Sequence, residues 1–421
     1  MANTLKFGNG EWATKEGSAL AYNSENSNFK PLPFDFTRAS TGTYVAKDGL
    51  IKTAASGVPR IDFLDSTSGS LKLEPQRTNL ITYSSELDNA AWTKDRVTVS
   101  ANQIASPDGS INADLIAENS ENNIHRIYIG SISLTAGVDY TITVFAKKGN
   151  SSVIQLTPTS SSAIGSGRAN FDLVNGILGT VSGGTASIED YGNGWYRCSY
   201  TFEALATATS AIAVNMVNDD LTAVRNVTYS GNTNNNFYLF GAMLEQGSYI
   251  SSYIKTSGST ATRVADACSQ TVPDGIIGQT EGTLYFEGVI YGATSSVNRR
   301  IFTISDGTST TAINLQTPTS NSKIEFEVTN GGITQVFIAT ANNSLVYGQN
   351  FKLAFGYKLN DFVAYMNGNQ IGVDTNATVP LCNKISFDRG NDTSNFEGSA
   401  KQAKLYNTRL SNSELQALTT I

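Results

Sequence analysis

FYLFGAMLEQGSYISSYIKTSGSTATRVAD, residues Phe237 to Asp266, sets the reading of the whole chain. Phe237 to Leu244 is an apolar, aromatic run without helical spacing, broken only by Gly241. That pattern predicts a buried β-strand that closes a β-domain. The second half is polar and rich in Ser, Thr and Gly, a composition that buries too little apolar area to fold alone and predicts an extended linker. A domain boundary is therefore expected here, and the rest of the chain divides around it.

The chain has 421 residues, enough for more than one domain. Hydrophobic residues make up 40% and charged residues only 15%, so its polarity comes from Ser, Thr, Asn and Gly. With 37 glycines and 10% aromatics, this is the composition of short strands joined by tight turns. An all-β fold is expected. The excess of 36 acidic over 29 basic residues gives a net charge of -7, which argues against nucleic-acid binding because displacing counterions needs a basic surface. No apolar run is long enough to span a membrane, and the N-terminal residues lack the apolar core of an export signal. Cys198, Cys268 and Cys382 are too few and too scattered for a disulfide framework and are expected as buried free thiols.

Outward from the opening stretch, residues 79–256 carry alternating strands such as Asp139 to Lys148 and Trp195 to Phe202, separated by turns like Gly192-Asn193-Gly194. Residues 283–421 form a second block, with a hairpin turning at Asn367-Gly368 and a helix start at Ser411 followed by Glu414. Residues 257–282 are expected to link the two, with the flexible joint at about Thr256 to Gly282. Residues 34–78 read as a hairpin-rich connecting segment turning at Asp48-Gly49. Residues 1–33, with Phe7, Trp12 and Tyr22, an Asn9-Gly10 turn and an exit stiffened by Pro31 and Pro33, are too short to hold a core. They are expected to be an attachment segment that packs on other chains.

Three patterns resemble known families. Leu73 to Lys94 (LEPQRTNLITYSSELDNAAWTK), Val97 to Ile116 and the closing LEQGSYISSYIKTSGSTATRVAD resemble a carbohydrate-binding-module-type jelly roll of bacteriophage tail and virion proteins. The hairpin FVAYMNGNQIG and the ending GSAKQAKLYNTRLSNSELQAL resemble a concanavalin A-like, laminin-G-type sandwich. Residues 34–63 are similar to a segment that precedes such modules. The resemblance implies two tandem β-sandwich (jelly-roll) domains after a short N-terminal attachment segment, in a virion protein of the tail-fibre or head-fibre type. Both resembled folds often hold structural calcium, and Asp388, Asp392 and Glu397 supply a loop cluster of suitable oxygens.

An enzyme is not expected. His125 is the only histidine and sits at a predicted strand start, where a structural role is expected. Glu325 and Glu327 share a strand face but lack the third acid of a glycosidase run, and read as a solvated face. Binding asks less: rings to stack on sugar faces and amides to bond hydroxyls. Trp92, Tyr249 and Tyr253 are the candidate carbohydrate-binding residues, with the tract Asn232 to Asn236 beside them. Trp195 reads as a core anchor. The expected function is host-surface glycan adhesion, with a head fibre or capsid decoration protein as the alternative and a polysaccharide depolymerase as the second. Expected partners are further copies of the chain in a homotrimer, other virion structural proteins through the N-terminus, and host cell-surface glycans.

Overall fold

A computed structural model describes residues 5–21, 33–292, 298–390 and 394–421. The chain is nearly all β, in antiparallel sheets. It divides into a terminal sandwich, residues 1–47, 53–76 and 264–421, and a central sandwich, residues 48–52 and 77–263. The central sandwich is thus an insertion in the sequence of the terminal one.

The central sandwich consists of two six-stranded sheets. One has the order Trp92–Asp95, His125–Leu134, Ala208–Met216, Val153–Pro158, Arg168–Asp172, Ile177–Ser182. The other has the order Val97–Ala105, Ile111–Glu118, Asn236–Gln246, Asp139–Lys148, Trp195–Glu203, Thr185–Asp190. The predicted strand that opens the decisive stretch is here, flanked on both sides and therefore buried. Gly241 marks a bulge in it: φ is +63°, and a side-chain carbon there would lie 2.9 Å from the Phe145 ring. The extra residue resets the alternation, so Phe237 and Leu239 before it and Ala242 and Leu244 after it all face the core.

The terminal sandwich pairs an eight-stranded with a nine-stranded sheet. Its core includes Phe34, Phe286, Phe302, Phe326, Phe355 and Phe387. The sequence-level turns recur as expected. Asn367 and Gly368 have φ of 50° and 79°, as a tight hairpin between Asp361–Met366 and Asn369–Asp374 requires. Ser411 caps the Asn412–Thr419 helix in a reciprocal capping box with Glu414.

Two parts of the expected division are corrected. Residues 1–33 are not a coreless arm: Leu5–Gly8 pairs with Gly398–Tyr406, and Leu5 and Phe7 lie in the terminal core. Tyr22 and Pro31 fall outside the described residues, and the side chain of Pro33 is not described. Nor is 257–282 a flexible linker, because Ala261–Arg263 pairs with Arg77–Asn79 and Ala267–Thr271 joins Pro33–Thr37 and Lys384–Ser386. Strand pairing supplies the stability that the polar composition withholds. The connecting segment 34–78 likewise contributes Arg60–Asp62 and Ser70–Leu73 to the eight-stranded sheet. Among the described residues, no helix is long and apolar enough to cross a membrane.

Cys198, Cys268 and Cys382 are buried free thiols, and burial pushes all three thiols up, Cys382 to about 12. Thiols that ionise at higher pH in the folded chain than in the unfolded one lend stability that is complete below the ordinary thiol range and lost as the pH rises toward 12. Native protein at pH 8 is expected to give no reaction with a chromogenic disulfide reagent, and all three thiols should react in guanidinium.

Candidate functional site

The second sheet of the central sandwich carries the site on its outward face. Along Asp139–Lys148 the side chains alternate: Val144 and Ala146 enter the core, while Phe145 and Lys147 point the other way. Register then does what sequence distance cannot. Lys147 lies opposite Trp195 on one neighbouring strand and opposite Tyr238 on the other. Directly paired residues on one face have their β-carbons about 5 Å apart. The result is a row, aromatic–cation–aromatic, across three strands.

The next row is Arg197, Phe145 and Phe240, and it is covered. Tyr191 meets the Phe145 ring edge-on at 4.9 Å, Tyr253 does so at 5.9 Å, and the Arg197 guanidinium sits 5.3 Å from the same ring centre. This aromatic block closes one end of the face. Beyond it, the Lys147 row opens into a cleft of about 390 Å³. Such a volume lies within the roughly 300–1,000 Å³ typical of small-molecule sites.

One wall of the cleft is the loop with Ala105, Ser106, Pro107 and Gly109, backed by Leu50, whose neighbour Ile51 donates its N–H to Pro107 O at 2.9 Å. The other is the turn Tyr191, Gly192, Asn193. Asp190 braces that turn by accepting from the Gly192 N–H at 2.7 Å, and Asn193 takes a φ of 52°. Lys147 Nζ donates to Asn193 O at 2.6 Å, which fixes the ammonium at the cleft edge. Trp195 is 2% exposed and donates its ring N–H to Ala105 O at 3.1 Å, but it is not the core anchor expected: Cys198, Tyr200 and Phe202 of its strand enter the core, while Trp195 lies on the outward face and lines the cleft. Tyr191, Tyr238 and Lys147 are half-buried.

The residues expected to stack on sugar are elsewhere. Trp92 is 2% exposed and donates its ring N–H to Tyr83 O at 2.8 Å. Tyr253 is buried, its hydroxyl 2.7 Å from Ser84 Oγ, and burial pushes its phenol up to about 12. Tyr249 is buried with the Arg77 guanidinium 5.1 Å over its ring. These three rings hold the sandwich together and offer no open face. The asparagine tract is also structural: Asn235 Nδ2 and the Asn232 N–H both bond the buried Glu118 carboxylate, at 2.7 and 2.8 Å.

Two of the three residues of the expected calcium loop are described. Glu397 forms an ion pair with buried Arg299, Asp388 is buried with Oδ1 accepting from the Gly390 N–H, and Asp392 lies outside the described residues. Among the described residues no group of three or more His, Cys, Asp or Glu could hold a metal ion. His125 is fully buried, its ring 4.8 Å from that of Tyr229. Glu325 is not on a solvated face: it is buried, accepting from Gln316 Nε2 at 3.0 Å and paired with Lys323 at 3.1 Å, while Glu327 faces Arg300 at 3.9 Å.

No family model and no curated protein matches the chain. Solved structures resemble parts of it. The CBM40 module of Ruminococcus gnavus IT-sialidase, bound to alpha2,3 sialyllactose, is 15% identical, with a TM-score of 0.30 over 34% of this chain and 84% of that one. Domain 4 of AbnA, a GH43 extracellular arabinanase from Geobacillus stearothermophilus in complex with arabinotriose, is 16% identical, with a TM-score of 0.30 over 40% of this chain and 81% of that one. Mouse laminin alpha1 domains LG4-5 are 14% identical, with a TM-score of 0.24 over 69% of this chain and 89% of that one.

Proposed function

We propose that the protein is a non-enzymatic carbohydrate-binding protein whose glycan site is the cleft of the central sandwich. The row Trp195, Lys147, Tyr238 carries this reading. A sugar ring is amphipathic: its axial C–H face packs on an aromatic ring while its hydroxyls need donors and acceptors at the rim. Tyr238 and Tyr191 supply half-buried ring surface, and Lys147, Asn193 and Ser106 supply the polar rim. The burial of His125 and the ion pairing of Glu325 and Glu327 favour binding over hydrolysis.

The setting we propose is a bacteriophage virion, with host-surface adhesion as the role of a tail-fibre-type receptor-binding protein. The resemblance of residues 73–94, 97–116 and 244–266 to phage jelly rolls supports it. A homotrimer attached to other virion proteins fits that setting.

The test is a glycan array of bacterial surface polysaccharides, followed by titration of the strongest binder. Tyr238→Ala removes one of the two half-buried rings and is expected to weaken binding at least about tenfold while the far-UV spectrum and melting curve stay unchanged. Wild-type protein that binds no glycan, or a Tyr238→Ala variant that binds as tightly as wild type, would remove the cleft as the site.

A further inference from the structure

The residues that line the cleft carry charge of one sign only, although the chain as a whole is acidic at -7. Lys147 is the one charged side chain among the residues that line it. Among the described residues no carboxylate pairs with it; its ammonium donates one hydrogen bond, to Asn193 O at 2.6 Å. An ammonium has three N–H groups and no acceptor capacity, so two donors remain to be directed at a ligand.

The two acidic residues that directly adjoin the lining, Asp190 and Asp108, are committed to the loops they brace. Asp190 accepts from the Gly192 N–H at 2.7 Å. Asp108 accepts from Ser106 Oγ at 3.0 Å, from the Ser110 N–H at 2.7 Å and from Asn112 Nδ2 at 2.9 Å. Both shape the walls, and neither lines the cleft.

The cation is also held in place. Trp195 and Tyr238 are its strand partners in register, and a half-buried ammonium interacts more strongly with an anion than a freely solvated one. A hydroxyl of a neutral sugar can accept from Lys147, but only one partner of that bond is charged. A carboxylate, sulfate or phosphate on the sugar supplies an ionised acceptor and makes the stronger pair.

We infer that the cleft selects acidic glycans, those carrying a uronic acid or another anionic substituent, and that Lys147 is the residue that determines this selectivity. The inference rests on the cleft being the glycan site, and the experiment separates the two. Trigalacturonic acid and its fully methyl-esterified form are titrated in parallel against wild type, Lys147→Gln and Lys147→Arg, at low and high salt, alongside an array sorted into acidic and neutral glycans. The acid form should bind wild type about tenfold more tightly than the ester, as a charge-assisted hydrogen bond provides. That margin should shrink with salt, vanish in Lys147→Gln and persist in Lys147→Arg. An array on which acidic glycans alone are bound, with the same loss in Lys147→Gln, also supports the inference if trigalacturonic acid is the wrong acid. Equal binding of acidic and neutral glycans, or an acid preference that Lys147→Gln retains, overturns the selectivity and leaves the glycan site standing. Binding to neither class overturns both.

Discussion

Asp266→Ala is expected to destabilise the terminal sandwich by about 3–5 kcal/mol, the cost of leaving buried charges without their partner. Asp266 is fully buried between two arginines: Oδ1 accepts from Arg38 Nη1 at 3.1 Å and Oδ2 from Arg60 Nη2 at 2.6 Å. Arg60 also reaches Glu74 at 2.6 Å, and the Glu74 N–H donates to Asp266 at 2.8 Å. Burial alone would lower the Arg60 pKa, and Asp266 and Glu74 more than offset it, holding the guanidinium above its ordinary value. Removing Asp266 leaves Glu74 alone against two buried guanidiniums. Thermal or urea denaturation reads the loss, and a midpoint within about 1 kcal/mol of wild type would show that the cluster contributes specificity rather than stability. Asp266→Asn keeps the shape and one acceptor and should fall between the two.

Phe7→Ala should cost a similar 3–5 kcal/mol, the usual penalty for emptying a phenylalanine site in a closed core. Phe7 is 1% exposed, and its ring lies 5.5 Å from that of Trp12, 5.2 Å from Phe34 and 5.7 Å from Phe387. A detached attachment arm would tolerate the change without loss, so the same denaturation experiment decides between the two pictures. It also means that deleting residues 1–33 disturbs the terminal sandwich itself, since Leu5, Phe7, Ala19 and Ala21 leave its core. Failure of such a truncation to assemble on particles would therefore say little about attachment. Exposed residues of the N-terminal strands, such as Lys15 and Glu16, are the better positions to alter.

The two sandwiches differ in how far their clusters could be read. Nothing in the spacing of Arg38, Arg60, Glu74 and Asp266 says that they meet. They come from four places, separated by up to 228 positions, and meet because strands from either side of the insertion pair in one sandwich. The central sandwich repeats the arrangement at its own ends. Glu245 is fully buried and accepts from the Ser251 N–H at 2.8 Å and Ser251 Oγ at 2.6 Å, with Arg77 at 3.6 Å. Burial raises its pKa, and those bonds and the Arg77 and Arg263 charges counter the rise. So the polar half of Phe237 to Asp266 holds the sandwich edges through buried charges and hydroxyls rather than through apolar area.

What the sequence determined by itself was local. Strand alternation, the Asn-Gly and Asp-Gly turns, the capping box at Ser411 and the all-β class are set by backbone sterics and side-chain periodicity within a few residues. The burial of three thiols followed from their number and scatter. What only the tertiary structure decided was which strands pair and in what register. That choice turned the expected linker into strands, moved residues 5–21 into the terminal core, and buried Trp92, Tyr249 and Tyr253. It also placed Lys147 between Trp195 and Tyr238, residues 48 and 91 positions away in sequence. Register has this power because side chains alternate every residue: one step of slip on either neighbouring strand would send Trp195 or Tyr238 into the core and leave Lys147 without its aromatic row.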